Sequence, residues 1–344
     1  MINFRARECI FFLIIGVLLS SCATVPTGPV AGVPEPVSET PTADKYGTVM
    51  QAYYLSFNGE VDAARALFEK LMRQFPDDRD LLYQYARFNI DLAYRVQDKE
   101  MEATHLTLAK QNLQRILEVE PDYMKARELL ADISIERGEF EEAVGNLEYI
   151  ASRQPENSQA ILALSRLYVH LGNPEEAITL LEPYLDVEVL DNYEYLKVYA
   201  LACGEAQQLF EAIEAYRRYL DKFPMEFEAS YNLALCYFKT TQYHSAETVL
   251  QQMRESEMMT PEVAQLLTDV FRAQERYSEA IALLEQMAAN PRLEVNANIE
   301  IGQIYLGLEM FEDAYRYLLK AVSKDPNNRR ATFYTAVTLA DLGR

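Results

Sequence analysis

The sequence predicts an all-α fold in which antiparallel helix pairs stack into a solenoid, and three observations predict it. An alanine returns at nearly constant spacing: Ala64, Ala109, Ala143, Ala177, Ala212, Ala246, Ala280 and Ala314 lie 45, 34, 34, 35, 34, 34 and 34 residues apart. A second small residue keeps the same register, at Ala52, Ala86, Ala131, Ser165, Ala200, Ala234, Thr268, Gly302 and Ala336. Pro76, Pro121, Pro155, Pro224 and Pro326 close the stretch after an alanine, with Pro291 one place early. Proline ends a helix because it has no N–H to donate and clashes with the preceding turn. Only 12 of the 344 residues are Gly, few for a β-rich or loop-rich chain.

One period shows the pattern at its clearest. Residues 124–155 read as two amphipathic helices hinged at Gly138, with Leu130, Ala131 and Ser134 on one face of the first. Phe140, Ala143, Leu147 and Ile150 recur on the second at steps of three or four, the period of an α-helix. Ala131 and Ala143 stand where the helices cross, since only small side chains let two backbones approach closely. This order of small, small, aromatic and proline, with its 34-residue period, resembles the tetratricopeptide repeat. The resemblance implies a right-handed superhelical solenoid whose concave side is lined by the first helices. It divides the chain into repeats at 45–78, 79–123, 124–157, 158–192, 193–226, 227–260, 261–294 and 295–328, with one further first helix at 329–344. A single repeat cannot bury its own apolar face, so stacking supplies the core.

Two segments precede the array. Arg5 and Arg7 lead into an apolar run from Ile10 to Leu19, too short to span a bilayer but suited to the core of a secretory signal. The run ends in Leu19-Ser20-Ser21-Cys22, which resembles the lipobox of bacterial lipoproteins. That resemblance implies removal of residues 1–21, acylation of Cys22 and a stable membrane anchor. Ala23 after the cysteine points to the outer membrane, with the protein facing the periplasm. Residues 22–44 carry Pro26, Pro29, Pro34, Pro36 and Pro41 and read as an extended tether with a reach of up to about 60 Å.

Within the array the pattern departs from regularity twice. The 45-residue interval carries 11 extra residues between Asn89 and Leu108. These either lengthen both helices of the second repeat or form a projecting loop. At the other end, residues 329–344 supply a first helix without its partner, and Ala331, Phe333, Tyr334, Val337, Leu339 and Leu342 make much of its surface apolar. Three readings stay open: a partner chain covers it, a twin copy covers it and makes a homo-oligomer through this helix, or the surface is merely imperfect.

Composition excludes several functions. The net charge is −21, and loss of residues 1–21, whose Arg5, Arg7 and Glu8 net +1, takes it to −22. Such a balance disfavours nucleic acid and anionic lipid headgroups as partners. The apolar share of 49% suffices for a large core, in which Tyr and Phe are first of all packing residues. His105, His170 and His244 are expected on the surface or in a groove, and none has Cys, His or carboxylate neighbours at metal spacing. No metalloprotease, nucleophile-elbow, P-loop or dinucleotide pattern is present. Neither cofactor nor catalysis is expected. Cys203 and Cys236 sit on the first helices of adjoining repeats, either as buried thiols or as a disulfide.

The resemblance also assigns a partner groove. Its lining positions fall on Tyr53, Phe57, Tyr83, Arg87, Ile90, Leu162, Arg166, Val169, Lys197, Leu201, Tyr231, Leu235, Phe238 and Arg272, together with Asp132, Ile135, Gln265, Asp269, Ile299, Gln303 and Leu306. An apolar, aromatic lining with isolated cations suits a peptide or helix of a protein partner. Family members that clamp a terminal carboxylate would be matched by Lys197 and Asn232, but Leu201, Glu262 and Leu266 occupy the remaining positions. The expected function is therefore a non-catalytic periplasmic scaffold lipoprotein. It is similar to those that assemble or localise pilus, secretion or polysaccharide-export machines. A peptidoglycan-associated adaptor that recruits cell-wall enzymes and a self-assembling array are the alternatives.

Overall fold

The computed structural model describes residues 41–186, 193–224 and 226–343. The predicted signal, Cys22 and the tether as far as residue 40 lie outside the described residues. Among the described residues the secondary structure is helical throughout, with no strand. The chain divides into two compact units, one ending at Leu180 and one beginning at Leu181.

The first unit runs through α1 (Pro41–Phe57), α2 (Val61–Gln74), α3 (Arg79–Arg95) and α4 (Lys99–Val119). It continues with α5 (Met124–Glu136), α6 (Phe140–Arg153), α7 (Ser158–His170) and α8 (Pro174–Leu181), which ends at the boundary. The second unit opens with a short 3₁₀ turn, Glu182–Tyr184, and then α9 (Tyr193–Glu205) and α10 (Leu209–Lys222). Next come α11 (Phe227–Lys239), α12 (Tyr243–Glu255), α13 (Pro261–Ala273) and α14 (Tyr277–Ala288). The last three are α15 (Glu294–Gly307), α16 (Phe311–Lys324) and α17 (Arg329–Asp341).

α1 begins at Pro41, inside the predicted tether. Proline breaks a helix from within, but at the first position its missing N–H has no intrahelical partner to lose. The predicted tether, residues 22–44, therefore overlaps α1 over residues 41–44.

The turn inside every pair but the second has one recurring geometry. The residue that follows it donates its N–H to a carbonyl five places back: Glu60 to Leu55, Glu139 to Ser134, Asn173 to Tyr168, Gln208 to Cys203, and Gln242 to Tyr237. That closure requires a left-handed residue just before the donor. Gly59, Gly138 and Gly172 supply it, at φ +87°, +72° and +81°. In the second unit the equivalent places are Gln207, Thr241, Glu275 and Glu309, with φ near +60°. The first helices are started by side chains instead. Asp78, Asn157, Thr260 and Asn328 each accept the backbone N–H three residues on.

The alanine register is the core. Ala64, Ala109, Ala143, Ala177, Ala212, Ala246, Ala280 and Ala314 are wholly buried, as are Ala52, Ala86, Ala131, Ala200 and Ala234 on the first helices. Ser165 and Thr268 replace alanine without leaving a lone polar group, because each hydroxyl donates to a carbonyl of its own helix. Four residues after each second-helix alanine stands a large buried side chain: Phe68, Leu113, Leu147, Leu181, Tyr216, Leu250, Leu284 and Leu318. Each contributes about 1.5–3 kcal/mol by leaving water. Tyr216 is the polar exception, and its hydroxyl accepts from Asn232 Nδ2 at 3.2 Å.

The 11 extra residues lengthen both helices of the second pair rather than form a loop. α3 has 17 residues against 13 in α5, and α4 has 21 against 14 in α6. Asp98 turns the chain between them by capping Glu100 and Met101. His105 corrects its expected surface place. It is buried between the lengthened helices, with Nδ1 3.1 Å from Asn89 Oδ1. Asn89 already donates its Nδ2 to the Tyr85 carbonyl, so the ring nitrogen is the donor. Burial, reinforced by Arg65, pushes the imidazole pKa down and keeps the ring neutral.

Candidate functional site

In the first unit, the predicted lining residues of α1 and α3 form an aromatic step. Tyr53 donates to the Gln84 carbonyl at 3.0 Å and packs edge-on against Phe68 and Phe88. Its hydroxyl pKa is pushed up to about 12 by burial. Tyr83 meets Tyr123 edge-on at 5.8 Å, Ile90 is half-buried, and Arg87 is exposed, with its charge near Tyr53 and Tyr83. Phe57 is bare.

Next to this step α5 presents carboxylates one turn apart: Glu128, Asp132 and Glu136. Glu128 accepts from Asn157 and Glu136 from the Tyr94 hydroxyl. Asp132 lies between two like charges, and its carboxyl pKa is pushed up to about 7, by burial first and then by Glu128 and Glu136. Ile135, an expected lining residue, is buried.

α7 corrects the predicted groove. Leu162, Arg166 and Val169 are all buried and present no surface to a partner. The reason lies in the helix itself. Ile161, Ala163, Leu164 and Leu167 are buried beside them, and a helix apolar on every side is covered on every side.

In the second unit, Lys197 is also withdrawn. Its ammonium pairs with Glu226 at 2.9 Å and Glu228 at 3.1 Å, which hold it charged with a pKa of about 12 against the opposing effect of burial. Leu201 is half-buried beside it in the chain. Tyr231 stacks on Phe227 with ring centres 6.3 Å apart, and Leu235 and Phe238, both half-exposed, continue its face. Arg272 lies 3.6 Å from Asp269, and Gln265 donates to Glu300 at 2.9 Å. Burial and Glu300 raise the Asp269 carboxyl, and Glu262 and Asp269 in turn raise Tyr231 after burial. Ile299 is buried, while Gln303 and Leu306 are half-exposed.

Carboxylates outnumber the expected cations on these faces, with Glu128 and Glu136 half-buried on either side of the predicted Asp132. The spacing of Glu128, Asp132 and Glu136 carried that signal, since residues four apart share a helix face. Cys203 and Cys236 are free and buried, and burial pushes both thiols up to about 11. A separate cleft of about 330 Å³ opens among α10, α11 and α12, lined by Leu220, Leu233, Val249 and Met253, and none of the predicted residues faces it. Among the described residues no three His, Cys, Asp or Glu side chains gather where a metal ion could be held, and no helix is long and apolar enough to cross a membrane.

The chain is similar to known repeat families. Family models described as tetratricopeptide repeat match residues 48–88, 99–158, 135–200 and 295–328. One described as anaphase-promoting complex, cyclosome, subunit 3 matches residues 205–287. No curated protein sequence matches the chain. Among solved structures, a tetratricopeptide repeat protein from Parabacteroides merdae is 16% identical with a TM-score of 0.49, over 86% of this chain and 99% of that one. YrrB, described as a TPR protein with an unusual peptide-binding site, is 17% identical with a TM-score of 0.44, over 61% and 97%. The Cut9–Hcn1 hetero-tetramer of APC/C is 14% identical with a TM-score of 0.43, over 85% and 63%. Helix pairs in a 34-residue register, closed by a recurring turn and matched by repeat models over α1 to α9 and again over α15 and α16, make this chain a tetratricopeptide repeat protein.

Proposed function

We propose that this chain is a non-catalytic scaffold lipoprotein. Acylated Cys22 holds it on the outer membrane, the Pro-rich stretch gives it reach into the periplasm, and its repeats hold a protein partner during assembly or localisation of an envelope complex. The placement of Leu19-Ser20-Ser21-Cys22 directly after an apolar run supports the anchor. The face made by Tyr231, Leu235 and Phe238 beside Asp269 carries the binding reading. It keeps aromatic and aliphatic surface half-exposed next to Asp269, whose carboxyl is raised by burial and by Glu300. Such a face gains most from an amphipathic segment that fills the apolar positions and brings a lysine or arginine to the carboxylates.

Two measurements test this. Incorporation of labelled palmitate in the native cell is expected to disappear in Cys22→Ser, and incorporation that persists removes the anchor. For the partner face, Tyr231→Ser, Leu235→Ser and Phe238→Ser are combined and in-cell crosslinking is compared with wild type. Unchanged partners, with helical content retained, would sink the assignment of this face.

A further inference from the structure

The outward face of α1 is bare where later first helices are covered. Tyr54 is 67% exposed, whereas Phe88, Ile133, Val270 and Ile304, in the same register of their repeats, are buried against a neighbour. Tyr46, Met50 and Phe57, at 54%, 69% and 82% exposure, extend the stripe at steps of three and four. Terminal repeats of soluble solenoids normally turn a polar face outward. Here, from Tyr46 to Asn58, there is no charged residue at all, in a chain that is 25% charged. Gly47 flanks the stripe, and a side chain added there would meet nothing within 4 Å. A glycine inside a helix costs about 1 kcal/mol relative to alanine, and among the described residues nothing requires it. Glycine is the residue that leaves room for another backbone to approach.

The four exposed side chains offer roughly 500 Å² of apolar surface. Two such stripes together reach about 1,000 Å², the lower bound of a specific interface. Residues 23–40 are a poor match for it, with five prolines between residues 26 and 41 and no apolar side chain larger than valine, and residues 1–21 are removed under the function proposed above, on which this point rests. A lipid surface fits poorly, because helices that lie on membranes carry lysine and arginine on their polar face. This one has neither between Tyr46 and Asn58 and belongs to a chain of net charge −21. The stripe does complement itself. Antiparallel about a two-fold axis, Tyr46 meets Phe57 of a second copy and Met50 meets its Tyr54, with no like charges brought together. We infer that α1 is a homodimer seam, joined through Tyr46, Met50, Tyr54 and Phe57.

In the full chain, Met50→Cys is treated in cells with a short bismaleimide. The expected product is a homodimer absent from wild type, since Cys203 and Cys236 are buried and react slowly, while under the proposed function Cys9 is removed and Cys22 acylated. Joining of the introduced thiol to a different protein, or a product that stays monomeric, overturns the seam. Because Met50 variants could lose structure, Met50→Glu and Met50→Lys chains are also compared by sedimentation. Each alone is expected to self-associate about 100-fold more weakly than wild type, and an equimolar mixture to recover association. No recovery on mixing, or anionic-vesicle flotation that depends on Met50, would equally rule it out.

Discussion

Gly302→Ala tests the packing register where two effects oppose. Gly302 is buried inside α15, where alanine is the better helix former by about 1 kcal/mol. On propensity alone the change stabilises. A Cβ at this position, however, would stand 2.5 Å from Leu318 Cγ, 2.8 Å from Cδ2 and 3.2 Å from Cδ1. Carbon atoms rest at about 3.5–4.0 Å, so the whole isobutyl group must retreat by roughly 1 Å, and Leu318 is fully buried. Overpacking of this kind costs about 1–3 kcal/mol. The net expectation is destabilisation by about 1 kcal/mol, or roughly 3 °C in Tm for a unit of this size. Calorimetry on wild type, Gly302→Ala, Leu318→Val and the double variant measures it. The double variant should recover at least half the loss of Gly302→Ala, measured against Leu318→Val, because valine vacates the space the new methyl needs. A Gly302→Ala protein that melts higher than wild type, or single effects that simply add, would refute the reasoning.

Three further outcomes follow from local geometry. Thr241 holds φ +60° with a β-branched side chain, so Thr241→Gly should raise the denaturant midpoint by the equivalent of about 0.5–1 kcal/mol, while Gly138→Ala, at φ +72° with open space around it, should lower it by about 1 kcal/mol. Asp132 is raised from an ordinary 3.8 to about 7, so between those values the unfolded chain binds fewer protons than the folded one, and stability falls as pH rises through that window. Asp132→Asn should therefore gain on wild type by roughly 1–2 kcal/mol between pH 5 and pH 8 after allowance for solvent access, and equal melting differences at both pH values would contradict it. Cys203 and Cys236 should resist iodoacetamide at pH 8 and react promptly in guanidinium, since burial holds both thiols near pKa 11.

Much of the fold was legible because close helix crossings admit only small side chains, and Ala143 and its mates advertise them at fixed spacing. The extra length in the second repeat was equally plain. Its division between α3 and α4 was not, because it depends on Asp98 capping α4 only three residues after α3 ends. The turns were half visible: Gly138 announces a left-handed residue, whereas Gln207 and Thr241 adopt the same conformation without any compositional mark. The partner faces were read least well. Lys197 is neutralised by Glu226, 29 residues away, whereas Arg166 lies on a helix whose all-round apolar sequence already marked it as covered. Exposure on a first helix is decided by the neighbouring repeats, which the pattern within one repeat does not encode.

The lengthened pair has a practical consequence. α3 gains four residues and α4 gains seven over their counterparts, close to one and two full helical turns. Both helices thus return to the stack in the phase they would have had without the addition. The tip at Val96–Asp98 is for that reason a natural grafting point. An epitope or fluorophore spliced there would ride beyond the neighbouring repeats, with no contact in the alanine register having to give way.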